Sequence, residues 1–254
     1  MIEQTRPLNE RLQRYWNDRA RTFDWIRRAP DGFDAEGAWR EIVSMLLTPS
    51  SGQRPVRRVA DVGTGSGMIA VLAASLGYEV IAIDFAPAMV ERAKQSLAPW
   101  PDAQVRQGDA CALPLQHGEV DAIIGRNVLW TLPSPEDALK HWSGLLQPGG
   151  RIGIIDGTHH GDFRRFPALY KHLSKAFGHG GHPDPVADNN PNKEVPLATL
   201  DNPQQVAELF RRVDLAEILV RDHHEVDRRL RASWSWLNRV TYKPRTFSIS
   251  ARVR

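Results

Sequence analysis

Residues 59–67 read VADVGTGSG: a short apolar strand carrying one acid, Asp61, runs into glycines at every second place, Gly63, Gly65 and Gly67. A strand that ends this way turns sharply through backbone conformations open to glycine. It then delivers the start of a helix, whose free amides face outward and suit a nucleotide-like ligand. The strand is too apolar to leave either face in water, so it belongs inside a parallel sheet covered by helices. That single stretch commits the chain to an α/β architecture.

The spacing also narrows the ligand. A dinucleotide fingerprint is G-x-G-x-x-G, and counting from Gly63 its third glycine falls on Met68. Here the order is G-x-G-x-G, with Asp61 two residues before the first glycine. A carboxylate there is a poor neighbour for a pyrophosphate and a good one for an ammonium group, directly or through water. It also has a local use, accepting amides within the turn. Asp84 closes the next apolar stretch, where an acid accepts hydrogen bonds from both hydroxyls of a ribose. The pattern supports a ribose and a cationic group and does not support a diphosphate.

The remaining chain fits that frame. Strands are expected at 57–62, 79–84, 103–108, 121–126 and 151–156, with helices at 67–76, 87–97 and 135–146 between them. Upstream, apolar residues at helical spacing mark 8–28 and 35–47, and TPSSGQRP (48–55) breaks the pattern. After Asp156 the alternation stops: THHGDFRRFPALYKHLSKAF (158–177) can form one helix and GHGGHPDPVADNNPNKEVP (178–196) reads as an irregular loop. Regular elements resume at 202–213, 216–220 and 245–253, the last alternating with period two like an antiparallel strand. The expected division is a helical cover (1–50), a ligand-binding core (56–156), a cap insertion (157–200) and a return to the core (201–254).

Composition excludes several classes. The 254 residues are 41% hydrophobic and carry a net charge of +3, so a full core is affordable and the case for a nucleic-acid partner is weak. The lone Cys111 rules out internal disulfides and multi-thiolate metal sites. Nine histidines invite a metal, but no HExxH spacing occurs and none is expected. No signal-like or membrane-length apolar run is present, which gives the expectation of a cytoplasmic protein with no membrane partner.

Four stretches in order then carry a family resemblance: VADVGTGSG, VIAIDFAPAMVERAK, QGDACALPL and VDAIIGRNVLWTLPSPEDALKHWSGLLQPGGRIGIIDG. Together they resemble the class I S-adenosylmethionine-dependent methyltransferases, in the branch that includes ubiquinone and menaquinone methyltransferases. The resemblance runs from about residue 57 to 156. It implies a Rossmann-like three-layer sandwich with a mostly parallel seven-stranded sheet, an antiparallel last strand, N-terminal helices and a cap insertion. It implies S-adenosyl-L-methionine as cofactor and S-adenosyl-L-homocysteine as product. Cofactor contacts are expected from Asp61, Gly63, Thr64, Gly65, Asp84, Phe85, Met89 beside the adenine, Asp109 on the adenine amino group, Ala110, Arg126 and Asn127. Similar N-terminal segments fold over the cofactor, which brings in Tyr15, Trp16 and Arg19; Arg19 pairs with the cofactor carboxylate or with Asp18 or Asp24.

On the acceptor side, Trp130 follows the fourth strand, and Phe163, Phe166 and Tyr170 fall in the cap, which favours a small, partly hydrophobic acceptor. His159 and His160 follow the fifth strand and are the candidate general bases, since a histidine with ordinary pKa takes a proton near neutrality. Methyl transfer to O, N or C is therefore the expected activity of a monomer or homodimer. A cofactor-binding protein without chemistry stays open, and a nicotinamide oxidoreductase is disfavoured by Asp61 and Met68.

Overall fold

The structure is a computed structural model that describes residues 7–20, 35–49, 52, 54–157, 190–198, 200, 202–232 and 245–254. In chain order the elements are α1 (Leu8–Arg19), α2 (Ala35–Leu47), β1 (Arg58–Val62), α3 (Met68–Ser75), β2 (Glu79–Asp84), α4 (Pro87–Leu97) and β3 (Gln104–Gln107). They continue with β4 (Ala122–Arg126), α5 (Pro135–Leu145), β5 (Arg151–Gly157), α6 (Pro203–Arg212), β6 (Ala216–Asp222), α7 (His224–Ala232) and β7 (Thr246–Arg252). Short 3-10 turns occupy Leu129–Thr131 and Pro191–Glu194.

The strands form one seven-stranded sheet in the order β3-β2-β1-β4-β5-β7-β6. All neighbours from β3 to β5 pair parallel, and β7 runs antiparallel to both β5 and β6. The strand order reverses beside β1, so its carboxyl end and that of β4 border the crevice where open sheets of this kind hold ligands.

Alternation along the strands divides the core. Val59, Val80, Ala82, Ile124 and Ile155 face α2 and α3; Ala60, Val62, Ile81, Ile83, Ile123 and Ile154 face the opposite layer, which holds α5 and α6. Both faces are apolar because both are covered, which is why the central strands read as continuous hydrophobic runs. Trp142, Phe210 and Phe247 fill the α5–α6 side, each fully buried. α6 starts with a capping box in which Asn202 and Gln205 satisfy the end amides, and Pro203 sits at its first turn.

The expected strands and core helices appear within a residue or two of their predicted ends. Three points differ. Helix α1 ends at Arg19, and the rest of the predicted 8–28 segment lies outside the described residues. Helix α7 was not expected, because HHEVDRRLRA is dominated by charged and polar residues; its Val226 is buried. The end of the predicted irregular loop is an ordered turn, in which Asn190 Oδ1 accepts from the Asn192 amide and side chain with both asparagines buried.

Candidate active site

The glycine turn is built as a fixed cradle. Gly63, Gly65 and Gly67 all have positive φ, at 67°, 56° and 88°. A Cβ on Gly63 would also meet Val128 Cγ2 at 2.8 Å, so this position needs glycine on two counts. The Thr64 amide donates to the Ile83 carbonyl at 3.0 Å, tying the turn to the end of β2. Asp84 reinforces the tie: Oδ2 accepts the Gly65 amide and Oδ1 the Ala86 amide, each at 2.9 Å. Burial pushes the Asp84 carboxyl up, opposed by the amides of Ala86, Gly65 and Phe85.

Asp61 is 1% exposed at the carboxyl end of β1. Its Oδ2 accepts from Thr64 Oγ1 at 2.6 Å, while Oδ1 is buried without a hydrogen bond. Burial raises its pKa to about 7, against the opposing pull of the Thr64 hydroxyl, the Ala70 amide and Arg126. Arg126 ends β4 two residues past Ile124, the register partner of Asp61, so its side chain leaves the sheet on the same side as Asp61. Burial lowers Arg126 to about 10, with Asp61 and Asp156 opposing, so it keeps its charge at neutral pH. Its guanidinium carbon lies 5.2 Å from the centre of the Trp39 ring. Asp156, 1% exposed at the end of β5, accepts the Gly157 amide on Oδ1, and burial raises it to about 7 as well. Asn127 follows Arg126 at φ 56° and donates its amide to the Ile155 carbonyl at 2.9 Å.

Helix α1 lies against this crevice. Gln13 Nε2 donates to the Phe85 carbonyl at 2.8 Å, and Asn17 Oδ1 accepts the Ala88 amide at 2.9 Å. The second contact caps α4 from another element, since its own N-cap residue, Ala86, has no side-chain acceptor. Trp16 packs with Phe85, Ala88 and the buried Ala20, Ala86 and Met89. Its ring meets Tyr15 edge-on at 5.4 Å and Trp130 at 6.4 Å between centroids, joining α1 to the turn after β4. Arg19 donates to the Tyr15 hydroxyl at 3.1 Å, and burial raises the Tyr15 phenol.

Asp109 is exposed and its Oδ1 accepts the Cys111 amide at 2.8 Å; the Ala110 carbonyl accepts Trp142 Nε1 at 2.7 Å, which anchors that stretch on α5. Thus Tyr15, Trp16, Asp61, Gly63, Thr64, Gly65, Asp84, Phe85, Met89, Arg126, Asn127 and Trp130 gather around the carboxyl ends of β1, β2 and β4 or on the α1 helix docked there. His159, His160, Phe163, Phe166 and Tyr170 lie outside the described residues. Sequence reasoning missed Gln13, Asn17, Trp39 and Asp156. Only Asp156 left a visible signal, as a third strand-ending acid alongside Asp61 and Asp84. Among the described residues no cluster of His, Cys, Asp or Glu forms a metal site, and no helix is long and apolar enough to cross a membrane.

Comparison with known proteins follows the same outline. Residues 60–154 match a family model described as a methyltransferase domain, a span from β1 into β5. An uncharacterized protein of Mycobacterium tuberculosis is 33% identical over 127 residues, covering 50% of this chain and 46% of the relative. Demethylmenaquinone methyltransferase of Renibacterium salmoninarum is 31% identical over 121 residues, covering 48% of each. The chain therefore spans about half the length of the curated relatives it matches.

Among solved structures, phosphoethanolamine N-methyltransferase 2 of Haemonchus contortus, in complex with phosphomonomethylethanolamine and S-adenosylhomocysteine, superposes with a TM-score of 0.65 at 16% identity. It covers 98% of this chain and 61% of that one. Geranyl diphosphate C-methyltransferase of Streptomyces coelicolor, in complex with Mg2+, geranyl diphosphate and S-adenosyl-L-homocysteine, gives 0.62 at 15%, covering 98% and 99%. At these identities the likeness is one of fold.

Proposed function

We propose, from the premise that the core of this chain is a class I S-adenosylmethionine-dependent methyltransferase domain, that the protein binds S-adenosyl-L-methionine over its glycine turn and transfers the methyl group to a small, partly hydrophobic acceptor. One observation carries the reading. A buried Asp61 carboxylate oxygen without a hydrogen bond stands beside a turn whose backbone is already tied down by Asp84. An orphan buried acceptor of this kind is costly unless a donor arrives. The ammonium of the cofactor's methionine end supplies one, and the Asp84 oxygens retain lone pairs for ribose hydroxyls.

In the transfer, a lone pair or carbanion on O, N or C of the acceptor forms the new bond to the methyl carbon. The carbon–sulfur bond breaks and its electrons stay on sulfur, leaving the neutral thioether of S-adenosyl-L-homocysteine. The cofactor brings the leaving group; the chain's work is alignment, exclusion of water and removal of a proton where the acceptor carries one. His159 and His160 are the proposed proton acceptors, and residues 157–200, with Phe163, Phe166 and Tyr170, the proposed acceptor cap. Tyr15, Trp16 and Trp130 close the crevice from the α1 side, where aromatic rings favour a sulfonium. The acceptors named for the demethylmenaquinone, phosphoethanolamine and geranyl diphosphate enzymes support a small molecule in that role.

The test is turnover. Purified protein with methyl-labelled cofactor and a panel of small quinols, phenols, amines and isoprenoids should release S-adenosyl-L-homocysteine and label at least one acceptor. Tight cofactor binding with no label on any acceptor would favour the non-catalytic binding reading.

A further inference from the structure

The Arg126 guanidinium at the end of β4 rests on an aromatic side chain of α2. Trp39, in α2, is 6% exposed and otherwise packs with the apolar face of the sheet. Its ring lies under the Arg126 guanidinium. Among the described residues no carboxylate comes within ion-pair distance of Arg126 and no hydrogen bond engages it, although Asp61 and Asp156 are close enough to act on its charge. A buried acceptor, Asp61 Oδ1, and a guanidinium with five donors thus stand on the same side of the sheet without engaging each other.

Left to itself, such a pair closes. Arginine is long and flexible, and attraction across a partly buried site draws it onto the nearest carboxylate. An Arg126–Asp61 ion pair would consume the oxygen that the ammonium needs. Stacking on Trp39 opposes that movement, because an indole face holds a guanidinium through cation–π attraction and parallel contact. A guanidinium held open in this way matches the carboxylate of an amino acid, just as Asp61 matches its ammonium.

We infer that Trp39 is a positioning residue for cofactor recognition: it holds Arg126 away from Asp61, as the anchor for the carboxylate at the amino-acid end of S-adenosylmethionine. The inference rests on the cofactor assignment above and adds a residue outside the matched family span, on the N-terminal helical cover. It also gives α2 a part in ligand discrimination, separating ligands that carry the zwitterion from those that carry only the nucleoside.

The experiment compares two ligands by calorimetry on the full chain: S-adenosyl-L-homocysteine, and 5′-methylthioadenosine, which keeps the adenosine and thioether but lacks the ammonium and carboxylate. Trp39→Leu should weaken the first about tenfold and leave the second within about twofold, and Trp39→Phe, which keeps a weaker aromatic face, should fall between. Arg126→Gln should show the same selective loss, and adding Trp39→Leu to it should cost little more. Should Trp39→Leu fold poorly, Trp39→Phe and Arg126→Gln carry the same comparison. Equal losses for both ligands in the Trp39 variants, or unchanged S-adenosyl-L-homocysteine binding, overturn the inference alone. A wild-type protein that binds neither ligand overturns the cofactor reading and the inference with it.

Discussion

Asp84 offers the sharpest single perturbation, because it joins a proposed ligand role to an observed structural one. Sequence alone marks it as a ligand group for ribose. In the fold its two oxygens also accept the Gly65 and Ala86 amides at 2.9 Å from a position 8% exposed. Asp84→Ala strands both amides, and two buried donors without partners cost about 2–6 kcal/mol, a large part of a domain's stability. Asp84→Asn is therefore the better probe. It keeps one acceptor oxygen for one amide, so stability should fall by only about 1–3 kcal/mol. For the ligand, the variant replaces a charged acceptor of two ribose hydroxyls with a neutral one facing its own amide donor. A loss of about 3 kcal/mol follows, a little over a hundredfold in Kd. Denaturant unfolding of the ligand-free protein measures the first effect and calorimetry with S-adenosyl-L-homocysteine the second. Asp84→Asn that stays folded and binds within threefold of wild type would refute the assignment of Asp84 to the ribose.

Other expectations follow from the same geometry. Gly63→Ala should destabilise by about 2–3 kcal/mol, from its positive φ and the approach of Val128 Cγ2 at 2.8 Å. Adding Val128→Ala should recover only the steric part in denaturant unfolding, and full recovery would argue against backbone strain. Asp61 and Asp156 are both raised to about 7, so the folded chain holds their protons more tightly than the unfolded chain does. Their contribution to ligand-free stability is present at pH 4 and is lost as pH rises to about 7, on the order of 4 kcal/mol for each at the outside. Thermal unfolding across that range reads the slope, and a Tm that rises steadily from pH 5 to 7 would contradict it. Binding has the opposite sign: an ammonium on Asp61 needs the carboxylate, so S-adenosyl-L-homocysteine should bind about tenfold tighter at pH 8 than at pH 6. A flat profile would remove Asp61 from the ammonium site. Arg11 and Glu194 bridge α1 to the Pro191–Glu194 turn with side chains 13% and 51% exposed. Losing that ion pair in Arg11→Ala should cost less than about 1 kcal/mol in unfolding.

How much of this could be read from the chain depends on the range over which each signal acts. β1, β2, β4 and β5 announce themselves because a strand covered on both faces must be apolar throughout, and Gly, Pro or Asp punctuates each end. The antiparallel β7 shows in its period-two alternation. The glycine turn with Asp61 and Asp84 is legible because its chemistry lies within one strand–turn–helix unit and the strand beside it. What links distant segments is not legible. Trp39 in the sequence is one apolar position among several in α2, and nothing local tells that Arg126 will lie over its ring. Gln13 and Asn17 look like ordinary polar residues on an exposed helix face. Their task of satisfying the Phe85 carbonyl and the bare start of α4 exists only once α1 has docked. Helix α7 escaped for a simpler reason: its residues are mostly charged, with acids and arginines paired along its surface, so the segment reads as a polar connection.

The central claim is that the turn at residues 59–67 holds S-adenosylmethionine. Calorimetric titration of the purified protein with S-adenosyl-L-methionine, S-adenosyl-L-homocysteine and NADH, side by side at pH 8, tests it most directly. The account predicts micromolar binding of the first two and none of NADH. Binding of NADH, or no binding of either adenosyl ligand to the folded protein, would contradict it.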